Sequence, residues 1–74
     1  MTENEAKEIL LQRLSQLADD DYPLVWVGEL IEERPDAFVF EADTYREGED
    51  PKAESGYWWV IKSERRCTPP PPGY

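Results

Sequence analysis

Apolar residues recur at three- and four-residue spacing through Ala6, Ile9, Leu10, Leu14 and Leu17, and this single stripe predicts an amphipathic helix. Thr2 and Glu5 stand in the S/T-x-x-E relation of a capping box, which marks its start, and Glu3 and Lys7 are four apart in the favourable order. The end falls near Ala18. Asp19, Asp20 and Asp21 place negative charge at the already negative end of the helix dipole, and Tyr22 precedes Pro23, which favours extended backbone.

The period then changes. Leu24 to Glu32 is rich in β-branched and aromatic residues, and Gly28 breaks the alternation as at a bulge or a close backbone approach. Glu33-Arg34-Pro35-Asp36 predicts a turn. From Ala37 to Tyr45, Phe38, Phe40 and Ala42 fall on one face and Val39, Glu41 and Asp43 on the other, the pattern of a half-buried strand paired with the preceding one as a hairpin. Arg46 to Gly56 has glycine, proline and charge but no apolar period, and predicts a mobile connection. Tyr57 to Ile61 is the third strand, with Tyr57, Trp59 and Ile61 opposite Trp58 and Val60. A single helix covers one face only, so adjacent tryptophans cannot both pack beneath it. Core packing is expected of Trp26 and Trp59, and Trp58 is the candidate for a second contact surface.

Beyond Ser63 the chain turns basic on balance, and Pro69 to Pro72 lack the donors that helix or sheet requires, which leaves polyproline II. The predicted architecture is α+β: an N-terminal amphipathic helix packed on a three-stranded antiparallel sheet, with residues 1–63 as one small domain and 64–74 as a flexible Pro-rich tail.

The order helix, hairpin, charged loop, aromatic strand resembles the immunity protein 35 family of small toxin-immunity proteins. The resemblance lies in the Ala6 to Leu17 helix, the Phe38-Val39-Phe40 strand after a short turn, and Gly56 leading into Val60-Ile61-Lys62. An Asn and a Pro that the family tends to carry soon after that glycine are replaced by Tyr57-Trp58-Trp59, and its later turn glycine by Ser63-Glu64-Arg65-Arg66. The resemblance implies a binding function, in which an acidic protein neutralises a partner by occupying its surface, and it brings no functional residue with it.

Composition narrows the chemistry. The 74 residues carry 17 acids and 8 bases, a net charge of −9, and all but one of the acids precede Lys62. Such a balance repels nucleic-acid phosphates and favours a basic protein partner. The absence of His and the single Cys67 exclude Cys/His zinc sites, Ser-His-Asp and Cys-His constellations and an intrachain disulfide. The longest apolar run, Leu24 to Val27, is too short for a membrane span and the N-terminus is acidic where a signal peptide is basic, so a cytoplasmic protein without membrane contact is expected.

Several candidate sites compete. Glu41, Asp43, Glu47, Glu49 and Asp50, with Trp58, are the candidates for binding a basic partner. Glu41 and Asp43 share a strand face as a catalytic carboxylate pair would, yet ordinary outward-facing residues have the same spacing, and no enzyme activity is expected. The acidic runs contain no D-x-[DN]-x-[DN]-G loop, so no metal or cofactor is expected. Cys67 beside two arginines could have a lowered pKa, but a solvent-exposed, inert thiol is the ordinary outcome. In the tail, Arg66, Pro69 and Pro72 satisfy R-x-x-P-x-x-P, and Pro71 to Tyr74 satisfies P-P-x-Y, patterns read by aromatic grooves. The expected function is a non-enzymatic acidic protein-interaction domain of immunity or inhibitor type. The alternative is a small adaptor whose tail, Arg66 to Tyr74, is the ligand. A homodimer through an open strand edge or the Trp58 face is a further candidate.

Overall fold

The computed structural model describes residues 1–54 and 56–70. One long helix, α1 (Glu3–Leu17), lies against a four-stranded antiparallel sheet of β1 (Leu24–Glu33), β2 (Ala37–Tyr45), β3 (Gly56–Ile61) and β4 (Arg66–Thr68), paired in chain order. A single turn of helix, α2 (Pro51–Glu54), interrupts the connection between β2 and β3.

The capping box closes α1 as its sequence requires: Glu5 N donates to Thr2 Oγ1 and Thr2 N donates to Glu5 Oε1, each at 3.2 Å. The Thr2 N–H contributes most to holding the Glu5 carboxyl below the usual carboxylate range, and the Arg65 guanidinium 3.3 Å from Glu5 Oε2 and the Thr2 side chain add to it. At the other end Asp19 Oδ1 accepts from Asp21 N at 3.0 Å and Tyr22 N at 2.8 Å, so the acidic run turns the chain toward β1.

The apolar stripe of α1 buries Ala6, Leu10 and Leu14 against Phe38, Phe40, Ala42 and Val60. Register explains the selection. Phe38 stands opposite Val60 and Phe40 opposite Trp58, while Val60 is in turn opposite Cys67, so all these side chains share the helix face. Val25, Val27 and Leu30 of β1 pack at the margin of the same core.

Two register shifts interrupt the β1–β2 ladder, between Val27 and Leu30 and between Leu30 and Glu32. Gly28 sits in the first, and its role is also one of space: a Cβ there would fall 2.6 Å from Cζ2 of Trp26, whose ring lies across the glycine. Bulges of this kind twist an edge strand away from further pairing.

Three expectations are corrected. The sheet has four strands, because Cys67 acts as a small apolar residue facing the helix and Thr68 pairs with Trp59. Arg66, Cys67 and Thr68 are therefore sheet, where a tail beginning at residue 64 is predicted. The turn that permits this has Arg65 in the left-handed region (φ 50°), with Arg65 N donating to Ile61 O at 2.9 Å; no glycine announces it. The predicted Arg46 to Gly56 connection contains α2, with Pro51 in its first position and Asp50 Oδ1 accepting from Lys52 N at 3.0 Å. The polyproline expectation for Pro71 and Pro72 lies outside the described residues.

Two outcomes follow from these contacts. Gly28→Ala lifts the Trp26 ring from the sheet, so its indole N–H resonance shifts while that of Trp58 holds, at a stability cost of about 1 kcal/mol; an unmoved Trp26 signal contradicts the close approach. Because the folded state holds the Glu5 pKa down, Glu5 contributes stability above its ordinary pKa that is lost as pH falls through the depressed value. Acid titration of Glu5→Gln, followed by thermal unfolding, loses that part of the pH dependence, whereas Thr2→Ala costs about 1 kcal/mol near neutrality.

Candidate functional site

Strand alternation turns Trp26, Val39, Glu41, Asp43, Tyr57 and Trp59 to the face of the sheet opposite α1. On that face Trp26 pairs with Asp43, Tyr57 with Glu41, and Trp59 with Val39. Ala37 and Val39 are fully buried there although α1 lies on the other side, so the large side chains of the face cover their own strand. The Arg34 guanidinium reaches back from the β1–β2 turn to stand 4.8 Å above the Trp59 ring. Its Nε is buried with no hydrogen-bond acceptor among the described residues, which the ring's electron-rich face partly offsets. Tyr57, 43% exposed, continues the aromatic stripe outward.

The tryptophan assignment is thus reversed. Trp58, the candidate for the outer surface, packs against the α1 core, because it is registered to Phe40 and Phe40 faces the helix. Trp59 and Trp26, expected beneath the helix, lie on the outer face.

Beyond Asp43 the face runs into an acidic end. Asp43, Glu49 and Asp50, with Tyr22, Thr44, Tyr45 and Pro51, line a cleft of about 80 Å³. Each of these carboxylates also holds backbone: Asp43 Oδ1 accepts from Thr44 N at 2.8 Å, Glu49 Oε1 from Arg46 N at 2.9 Å, and Asp50 caps α2. Arg46 ties the Asp19–Asp21 segment to this end; its Nε donates to Asp21 O at 3.1 Å and its guanidinium lies 4.7 Å above the Tyr22 ring. The cleft is too small for a metabolite, and among the described residues no three His, Cys, Asp or Glu side chains converge as metal ligands. Among the described residues, no helix is long and apolar enough to cross a membrane.

Of the predicted partner-binding residues, the fold therefore joins Glu41, Asp43, Glu49 and Asp50 along one surface. Glu47 is exposed in the turn after β2, Arg66 and Pro69 lie at the β4 edge, and Pro72 and Tyr74 lie outside the described residues. Trp26 and Trp59 are the members that sequence reasoning missed; only the pairing of β3 with β2 distinguishes Trp59 from its neighbour. Cys67 is half-buried on the helix side of β4, and burial pushes its thiol pKa up against a smaller opposing pull from Arg13. Since a raised pKa leaves less thiolate, alkylation of folded Cys67 by iodoacetamide near pH 8 runs several-fold slower than in the urea-unfolded chain; equal rates would contradict this burial.

Compared with known proteins, the chain matches no family model, no curated protein and no solved structure.

Proposed function

We propose that this protein is a non-enzymatic interaction domain that binds a basic protein partner through the outer face of its sheet and the acidic end adjoining it. The observation that supports this most directly is the placement of Trp26 and Trp59 on the face away from α1, with Asp43 opposite Trp26 and continuous with Glu49 and Asp50. Rigid aromatic side chains provide apolar contact at low entropic cost, and neighbouring carboxylates steer and orient a cationic partner. The net charge of −9 extends that steering beyond the contact itself. The resemblance to immunity protein 35 supports an inhibitor-type role, with a toxin as the partner. The tail-ligand alternative has less behind it: Arg66 is engaged in β4, so presenting R-x-x-P-x-x-P as one extended ligand would require that strand to detach.

The test is affinity capture from source-cell lysate with mass-spectrometric identification, followed by titration of the purified partner. A basic protein bound at low salt should dissociate as ionic strength approaches about 0.5 M, where the Debye length falls to a few ångströms. The triple substitution Glu41→Gln, Asp43→Asn, Asp50→Asn keeps side-chain oxygens to accept the backbone hydrogen bonds of Thr44 and Lys52 while removing charge, and should weaken binding at least about tenfold. Affinity indifferent to both salt and this variant would overturn the proposal.

A further inference from the structure

We infer a second binding site in the cleft between α1 and the turn joining β3 to β4, where arginine side chains receive a small oxyanion, phosphate or carboxylate in chemistry. The inference is independent of the acidic face. The cleft, about 340 Å³, is lined from the helix by Gln12, Arg13 and Gln16 and from the turn and β4 by Arg65 and Arg66, over a floor of Ile9 and Cys67. In a chain of 17 acids and 8 bases, the described residues that line this opening include three arginines and no carboxylate.

The arginines differ in how freely they could receive a ligand. Arg13 has no carboxylate within ion-pair distance among the described residues. Arg65 reaches Glu5 at 3.3 Å and Arg66 reaches Glu64 at 3.2 Å, but all four side chains are largely exposed, and pairs of this kind are weak enough to exchange for an incoming anion. The left-handed backbone at Arg65 is the strained element of the turn, and it sets the direction from which that side chain leaves the sheet. Guanidinium groups bind planar or tetrahedral oxyanions through paired N–H donors, and the Gln12 and Gln16 amides add neutral ones. The half-buried Cys67 thiol, its pKa raised by desolvation, stays protonated near neutrality and adds no repelling charge. Salt confines the influence of remote carboxylates to about 8 Å at physiological ionic strength, so the acidic end does not veto a local cationic cleft.

The experiment titrates the full chain with inorganic pyrophosphate and, separately, with tricarballylate, at matched ionic strength, following arginine Nε–Hε and lysine side-chain NMR signals. Saturable shifts at Arg13, Arg65 and Arg66 are expected, with Arg13→Gln weakening the response at least about tenfold and Lys52→Gln leaving it unchanged. Saturation by pyrophosphate alone assigns a phosphate-bearing ligand; saturation by tricarballylate assigns a carboxylate-bearing one. Because Arg65→Gln also removes the Glu5 pair, its thermal unfolding is measured alongside, whereas Arg13→Gln breaks no ion pair among the described residues. Absence of saturation with either probe, or equal shifts at Lys7, Lys52 and Lys62, would overturn the inference.

Discussion

The antiparallel register of β2 against β3 is the constraint on which the rest of the molecule depends. Setting Phe40 opposite Trp58 and Val39 opposite Trp59 decides, in one step, which tryptophan joins the core under α1 and which stands on the far face. A slip of one residue would exchange the two faces of β3 and place Val60 outside. The apolar stripe of α1 resists that slip, because Leu10 and Leu14 are buried in one cluster with Phe38, Phe40, Ala42 and Val60. The short fourth strand reinforces it: Cys67 faces the helix only while paired with Val60.

With α1 on one side of the sheet, the other face has to cover itself. Here Trp26 lies across Gly28, Arg34 caps Trp59, and Ala37 and Val39 lose all exposure beneath such side chains. The arrangement has two consequences. It keeps the outer face ordered without a second helix, and it sets half-buried aromatic rings on the same face as Glu41 and Asp43. The edges are treated differently. β1 is bulged twice and carries Glu29, Glu32 and Glu33, while β3, which would otherwise be open, is shielded by β4. Trp58 is turned toward α1 and packs against its core.

Charge is organised rather than spread. Carboxylates that hold the hairpin end together, Asp43, Glu49 and Asp50, each accept a backbone N–H on one oxygen. Arg46 prevents that end from being purely repulsive by binding Asp21 O and stacking on Tyr22. Arg13 lines one cleft with Arg65 and Arg66, although some fifty residues separate it from them in the chain.

The sequence by itself determined the elements whose signals are local. The Thr2–Glu5 capping box, the spacing from Ala6 to Leu17, the alternation of Ala37 to Tyr45 and the break at Gly28 each report on neighbours a few residues away, and the structure forms each of them. Only the tertiary structure decided what depends on pairing between distant segments. The β4 strand is three residues long, follows a turn made by an arginine rather than a glycine, and gains its reason to exist from Val60 and the helix above it. The facing of Trp58 and Trp59 likewise could not be read from their own alternation, which is symmetric until Phe40 supplies the reference. Periodicity divides a strand into two faces; the partner strand and the helix decide which face is inside.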